Sequence, residues 1–173
     1  AYGAPAFDRD ALLGFVDGAC DVCEAVGAEY VGGDLDEHDE FTVATPALGR
    51  ADDAVDRAGA SPGELVCVTG ALGRTAAAIR RFEAGDADRG NELFRFTPRV
   101  AAGRALAPSA TAMMDVSDGL ARSLHQLAAA SGVGLDLAWG DVPVAPAVDA
   151  VARDDADRRE LAGFVGEDFE LLC

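Results

Sequence analysis

Apolar residues at Leu12, Val16, Ala19, Cys23 and Val26 recur every three or four positions, which places them on one stripe of a helix. Asp8 stands where an N-cap belongs and Gly27 where a left-handed stop belongs, so one amphipathic helix is predicted between them. Residues 29–31 and 41–45 read as strands separated by the Gly32-Gly33 turn and an acidic loop reaching Glu40. Beyond Arg50 the chain turns to Ala, Asp, Arg and Gly, and Ser61-Pro62-Gly63 closes that stretch as a turn. A short apolar strand over 65–68, a glycine turn over 69–73 and an alanine-rich helix over 75–82 follow. Residues 85–91 read as a polar loop and 100–106 as a short helix. Residues 112–114 read as a strand running into Asp115-Val116-Ser117-Asp118-Gly119, after which Leu120, Leu124 and Leu127 define a helix that stops near Gly132. Residues 135–139 alternate as a half-buried strand should. Strands and helices in alternation predict an α/β or α+β layered fold, with no internal repeat.

At 173 residues, half of them hydrophobic, the chain can bury a core. No run of eighteen apolar residues and no basic-then-apolar start is present, so neither a membrane span nor export is expected and a cytoplasmic location follows. Charge changes the picture more. The 31 acidic residues oppose 14 basic ones, all arginine, for a formal net charge of -17. Such a surface repels nucleic acid and anionic lipid, which excludes both as expected partners. It also fits adaptation to concentrated salt, where the Debye length falls to about 3 Å at 1 M. Of the cysteines, Cys20 and Cys23 form a C-x-x-C, but no second pair or His pair completes four metal ligands, and Cys23 on the apolar stripe reads as a small core residue.

Three carboxylate clusters fall at turns: Gly32-Gly33-Asp34, the Asp115 to Gly119 stretch, and Gly166-Glu167-Asp168-Phe169-Glu170-Leu171. Mg takes oxygen ligands and shares one or two carboxylates with substrate phosphates, so aspartates on well-held turns suit it. Taken alone, Asp118 or Ser117 reads equally as the N-cap of the following helix. Gly70-x-x-Gly73 reads first as a tight turn and second as a phosphate cradle, and without lysine it is no P-loop. His38 and His125 read as surface residues, which leaves histidine acid-base chemistry and Ser-His-Asp or Cys-His catalysis without support.

Taken in order, several segments resemble thiamine-monophosphate kinases of the aminoimidazole-ribotide-synthetase superfamily. They are Gly3-Ala4-Pro5, Val31-Gly32-Gly33-Asp34, Val68-Thr69-Gly70-x-x-Gly73, Met114-Asp115-Val116-Ser117-Asp118-Gly119-Leu120, Ser131-Gly132-Val133-Gly134 and Gly166-Glu167-Asp168-Phe169-Glu170-Leu171-Leu172. The resemblance implies an α+β N-terminal remnant over 1–50, a linker over 51–63 and an incomplete α/β layered C-terminal domain over 64–173. It implies metal at Asp34, Asp115 and Asp118, ATP contacts at Gly33, Asp34, Arg50 and Ser117, and a thiamine-phosphate contact at Glu167. The reaction implied is direct in-line transfer of the γ-phosphoryl group of ATP to thiamine monophosphate, assisted by Mg2+, with no covalent or acid-base residue assigned and with a homodimer as the full-length form.

The same resemblance places an acidic Gly-Asp-Asp-Ala motif upstream of Ala1 and an aromatic thiamine contact beyond Cys173, so the 173 residues alone are expected to lack kinase activity. Two alternatives stand beside it: another superfamily enzyme, of the aminoimidazole ribotide synthetase or hydrogenase-maturation type, and a non-catalytic cation-binding or subunit-pairing module.

Overall fold

A computed structural model describes residues 1–173, which divide into two compact units, Ala1–Asp52 and Asp53–Cys173. In the first unit, β1 (Tyr2–Ala4) lies between β2 (Leu35–Glu37), which runs parallel to it, and β3 (Thr42–Val43), which runs antiparallel. Tyr2 is buried at the centre of an aromatic cluster, with ring centroids of Phe7, Phe15 and Phe41 at 6.4, 5.6 and 5.3 Å. The helix α1 (Arg9–Val26) starts and stops where its sequence says. Asp8 accepts the N–H groups of Asp10 and Ala11, and Gly27 turns left-handed at φ 71°.

Two expectations fail in this unit. The stripe of α1, Cys23 included, is only half-buried; Cys20 and Cys23 are free thiols. Residues 29–31 form no strand; the pairing goes to 2–4 and 35–37, since a strand exists only where a partner edge meets it.

The second unit contains α2 (Arg74–Glu83), α3 (Ala87–Phe94), α4 (Val100–Leu106), β4 (Met114–Asp115), α5 (Leu120–Ser131), a 3-10 turn at Trp139–Asp141, α6 (Pro146–Asp149), α7 (Asp155–Gly163) and β5 (Leu171–Leu172). This is the mixed helix and strand content that the alternation predicts. Leu72, Val116, Leu120, Leu127, Ala162 and Leu172 form its main core. Beside it, Ala76 and Ala77 of α2 meet Val148 and Leu161. Alanine is needed there because the backbones are close: a Cβ on Gly73 would stand 2.6 Å from a Val148 methyl and 3.1 Å from the Ala162 backbone. Residues 59 and 60 are tied to this unit by the Ser131 hydroxyl, which accepts both their N–H groups at 3.2 Å.

Three segments depart from the sequence reading. Residues 87–94 are helical rather than loop, steadied by a stack of Phe82 on Phe94 at 5.6 Å. Residues 65–68 form no continuous strand; pairing is confined to Cys67 with Cys173 and Val68 with Leu172, and Leu65 is exposed. Residues 135–139 make no strand; Trp139 opens the 3-10 turn and packs near Gly163. No helix is long and apolar enough to cross a membrane.

A carboxylate loop braced by a buried acid pair

The two acidic motifs of the second unit lie against each other, backbone to backbone. Met114 pairs with Leu172 and Asp115 with Leu171 across β4 and β5. The ladder continues into the turns, where Val116 N–H donates to Glu170 O at 2.8 Å, Phe169 N–H to Val116 O at 3.1 Å and Glu167 N–H to Ser117 O at 2.7 Å. Contact is so close that a Cβ on Gly166 would lie 2.1 Å from Ser117 O, and one on Gly119 would lie 3.0 Å from the Phe164 carbonyl. Glycine is required at both points for proximity, and Gly119 also has φ 91°.

Burial alternates along this turn and the strand after it: Asp168, Glu170 and Leu172 are buried, whereas Glu167 and Phe169 are exposed. Asp168 caps α2: its carboxylate accepts the N–H of Gly73 at 2.5 Å and of Thr75 at 3.0 Å. Thr75 returns a hydroxyl hydrogen bond to Glu167 O, and Arg74 donates to Asp168 O at 2.9 Å. Held this way, Glu167 and Phe169 adopt left-handed φ values of 69° and 51°, a conformation that non-glycine residues enter at a cost. Burial pushes the Asp168 carboxyl above its ordinary value, against the pull of the Thr75 and Gly73 N–H groups and of Arg74.

Glu170 is held differently. Arg99 grips both its oxygens, at 2.6 and 2.7 Å, and the Thr69 hydroxyl donates at 2.7 Å. Burial pushes this carboxyl up, but the Arg99 and Thr69 hydrogen bonds outweigh burial and hold it below the usual range. Gly70 makes room, since a Cβ there would fall 2.6 Å from the Glu170 carboxylate. Arg74 lies over the Phe96 ring at 4.1 Å, and Phe96 stacks on Phe169 at 5.9 Å. Its Nε is buried with no partner.

This arrangement corrects several readings. The start of α2, which a phosphate would need, is filled by Asp168. Of the Gly-Glu-Asp-Phe-Glu cluster only Glu167 remains free to meet a ligand. The capping role weighed for Ser117 and Asp118 is not used: the N-cap of α5 is Gly119, with no side-chain hydrogen bond. Asp115 and Asp118 therefore stand exposed on a braced loop, Asp118 with only a loose contact to Arg122 at 3.9 Å. Ser117 between them is half-buried, and the ladder brings Glu167 beside it. No three His, Cys, Asp or Glu side chains form a ready-made cation cage.

Gly33, Asp34 and Arg50 belong to the first unit. Asp34 is exposed and folds back to accept the Leu35 N–H at 3.1 Å, and Arg50 reaches Asp52 at 3.4 Å with both side chains almost fully in solvent. Sequence reasoning missed Arg99, Arg74, Thr69 and the inward role of Asp168 and Glu170. The available signal was the two-residue alternation with Leu172.

The layered α/β unit, with a carboxylate loop on a strand end braced by a second acidic turn, defines the class. Residues 61–165 match the profile of the AIR synthase related protein, C-terminal domain, and the chain belongs to that family. Within it, the chain is 64% identical over 173 residues to the thiamine-monophosphate kinase of Halobacterium salinarum, covering all of this chain and 59% of that protein. It is similar in structure to the Stenotrophomonas maltophilia thiamine-monophosphate kinase, with a TM-score of 0.84, 28% identity, and coverage of 99% of this chain and 58% of that one. AaThiL complexed with AMPPCP and TMP shares the fold at a TM-score of 0.82 and 24% identity, over 99% and 58% of the two chains. The chain thus spans somewhat more than half the length of these relatives.

Proposed function

We propose that this chain forms part of an ATP-dependent kinase that converts thiamine monophosphate to thiamine diphosphate. The observation that carries this reading is the Asp115-Val116-Ser117-Asp118 loop, whose carboxylates are exposed, are not consumed by helix capping and are fixed against the turn that presents Glu167. The 64% identical relative is named for that activity, and the AaThiL complex holds AMPPCP together with TMP.

The donor set fits Mg2+: Asp115 and Asp118 supply hard oxygen ligands singly, as an ion sharing its shell with phosphates and water requires. When bound, the ion would neutralise charge on the transferring phosphoryl group. Asp115 and Asp118 of the second unit would hold such an ion, and Asp34 is the metal contact assigned to the first unit. Ser117 would orient ATP and Glu167 the thiamine phosphate, and Gly33, Asp34 and Arg50 are the ATP contacts assigned to the first unit. Residues 1–50 then end an ATP-binding domain, 51–63 connect, and 64–173 belong to the second domain; the contact boundary at Asp52 and Asp53 supports the first border. A cytoplasmic homodimer adapted to high salt completes the proposal, supported by the net charge of -17 and a Halobacterium relative.

The test uses a polypeptide of the relatives' full length that carries this segment. It should form thiamine diphosphate from ATP and thiamine monophosphate only with Mg2+. Asp115→Asn and Asp118→Asn should each lower kcat on the order of 100-fold or more, as expected for removal of a charge-stabilising group. Because neither side chain caps α5, the melting temperature should hold. Unchanged turnover in both variants sinks the proposal.

A further inference from the structure

Cys67 and Cys173 lie directly opposite each other on neighbouring antiparallel segments. Cys67 N–H donates to Cys173 O at 2.7 Å and Cys173 N–H donates to Cys67 O at 2.9 Å, the reciprocal exchange of a hydrogen-bonded pair. Val68 and Leu172 bridge one step further on and turn into the core, so alternation puts both cysteine side chains on the opposite face together. In such a pair the Cα atoms stand about 5.5 Å apart, within the span of roughly 4.4 to 6.8 Å that a disulfide requires. Both are free thiols, Cys67 exposed and Cys173 half-buried, and both line an open cleft of about 750 Å³ that admits a small solute.

We propose that Cys67 and Cys173 form a modification site, an oxidisable dithiol that hydrogen peroxide converts to an intramolecular disulfide. The exposed Cys67 is the sulfur attacked first. Its thiolate displaces hydroxide from the peroxide O–O bond, giving a sulfenic acid, and the hydroxide takes up the proton lost from Cys67 to leave as water. The Cys173 sulfur then attacks the sulfenic sulfur, forming the S–S bond and releasing a second water that carries the Cys173 proton. Two thiols are oxidised and one peroxide is reduced to two waters. Burial, and then the neighbouring Cys67, hold the Cys173 thiol above its ordinary value, which disfavours its thiolate and its direct oxidation.

The consequence is local and specific. Thr69 and Glu170 lie on these two segments, with Thr69 N–H donating to Leu171 O at 3.0 Å, so the new bond would staple the strand that carries the buried acid. Nothing in this depends on the kinase reading.

The experiment treats a polypeptide of the relatives' full length that carries this segment with hydrogen peroxide, blocks remaining thiols, and maps peptides without reduction. The expected result is one linked peptide pair containing Cys67 and Cys173, lighter by two hydrogens, reversed by dithiothreitol. The link should persist in the Cys20→Ser, Cys23→Ser double variant and vanish in Cys67→Ser. Amide exchange near residues 67–69 and 171–173 should slow in the oxidised wild type, a readout that needs no variant. Cys67 and Cys173 both recovered as blocked thiols, Cys67 carried on to sulfonic acid without a link, or a link to Cys20 or Cys23 would each overturn the proposal.

Discussion

Arg99 holds Glu170 in a two-pronged ion pair, Nε to one carboxylate oxygen at 2.6 Å and Nη2 to the other at 2.7 Å, with the carboxylate buried and the guanidinium about a third exposed. Because the Glu170 carbonyl also accepts the Val116 N–H, this pair fixes the turn that faces the Asp115 loop. Arg99→Leu leaves a buried carboxylate with only Thr69 as a partner and should cost about 2 to 3 kcal/mol, below the range for fully buried pairs because Arg99 is partly solvated. Arg99→Lys restores the charge but not the fork and should recover less than half of that loss. Urea unfolding at fixed salt checks both, and equal stability of Arg99→Leu and wild type would refute the brace.

The two buried acids should respond to pH with opposite signs. Glu170 has a depressed folded pKa, so its contribution is present above its ordinary value of 4.5 and is lost as pH falls below it. Asp168 has a raised folded pKa; between its ordinary 3.8 and that higher value the native state binds more protons than the unfolded one, so its contribution grows on acidification. The stability gap between wild type and Glu170→Gln should therefore narrow as pH drops below 4.5, while the gap to Asp168→Asn should already widen on the way down toward 3.8. Parallel urea titrations at each pH read this directly, and gaps moving in the same direction would count against the assignment.

Close approach makes a sharper prediction. At Gly166 an added methyl meets the Ser117 carbonyl oxygen at 2.1 Å and the Asp118 Cα at 3.0 Å, backbone atoms that move only if the two motifs separate. Gly166→Ala should lose about 3 kcal/mol or more, the scale of steric strain with no side chain able to yield. At Gly134 nothing lies within 4 Å, so Gly134→Ala should stay within about 0.5 kcal/mol of wild type. Thermal melts of the two variants side by side supply the control, and similar losses would mean the crossing is not tight.

What the sequence disclosed follows from what is local. The helices α1, α2, α4 and α5 are written in short-range signals: the Asp8 cap, the Gly27 and Gly132 stops, and apolar spacing. The helix α3 has one local signal, Asp86, whose carboxylate accepts the Arg89 N–H at 3.5 Å, but its ring stack of Phe82 on Phe94 joins residues twelve positions apart. Strands at 29–31 and 135–139 were misread because propensity names a segment able to pair, while pairing needs an edge elsewhere in the chain. In the candidate site, Asp115 and Asp118 could be picked out as acids at a turn after a strand. Which acid of Glu167, Asp168 and Glu170 points inward depends on the burial of Leu172, and on arginines at 74 and 99 that lie far away in sequence.

The charge excess yields the last prediction. A net charge of -17 sits on a surface whose ion pairs are few, and several of them, such as Arg50 with Asp52 and Arg158 with Asp149, are solvated and contribute little. Repulsion among the remaining carboxylates opposes the compact state, and it weakens as the Debye length shrinks from about 30 Å at 0.01 M to about 3 Å at 1 M salt. The melting temperature should rise across that range of KCl. Screening also fixes the shape of the curve: the steepest gain belongs below roughly 0.2 M, where the Debye length changes most. A general strengthening of apolar burial would instead build steadily toward molar salt. A melting temperature that is flat or falls from low to molar KCl would show that self-repulsion does not limit the stability of this chain.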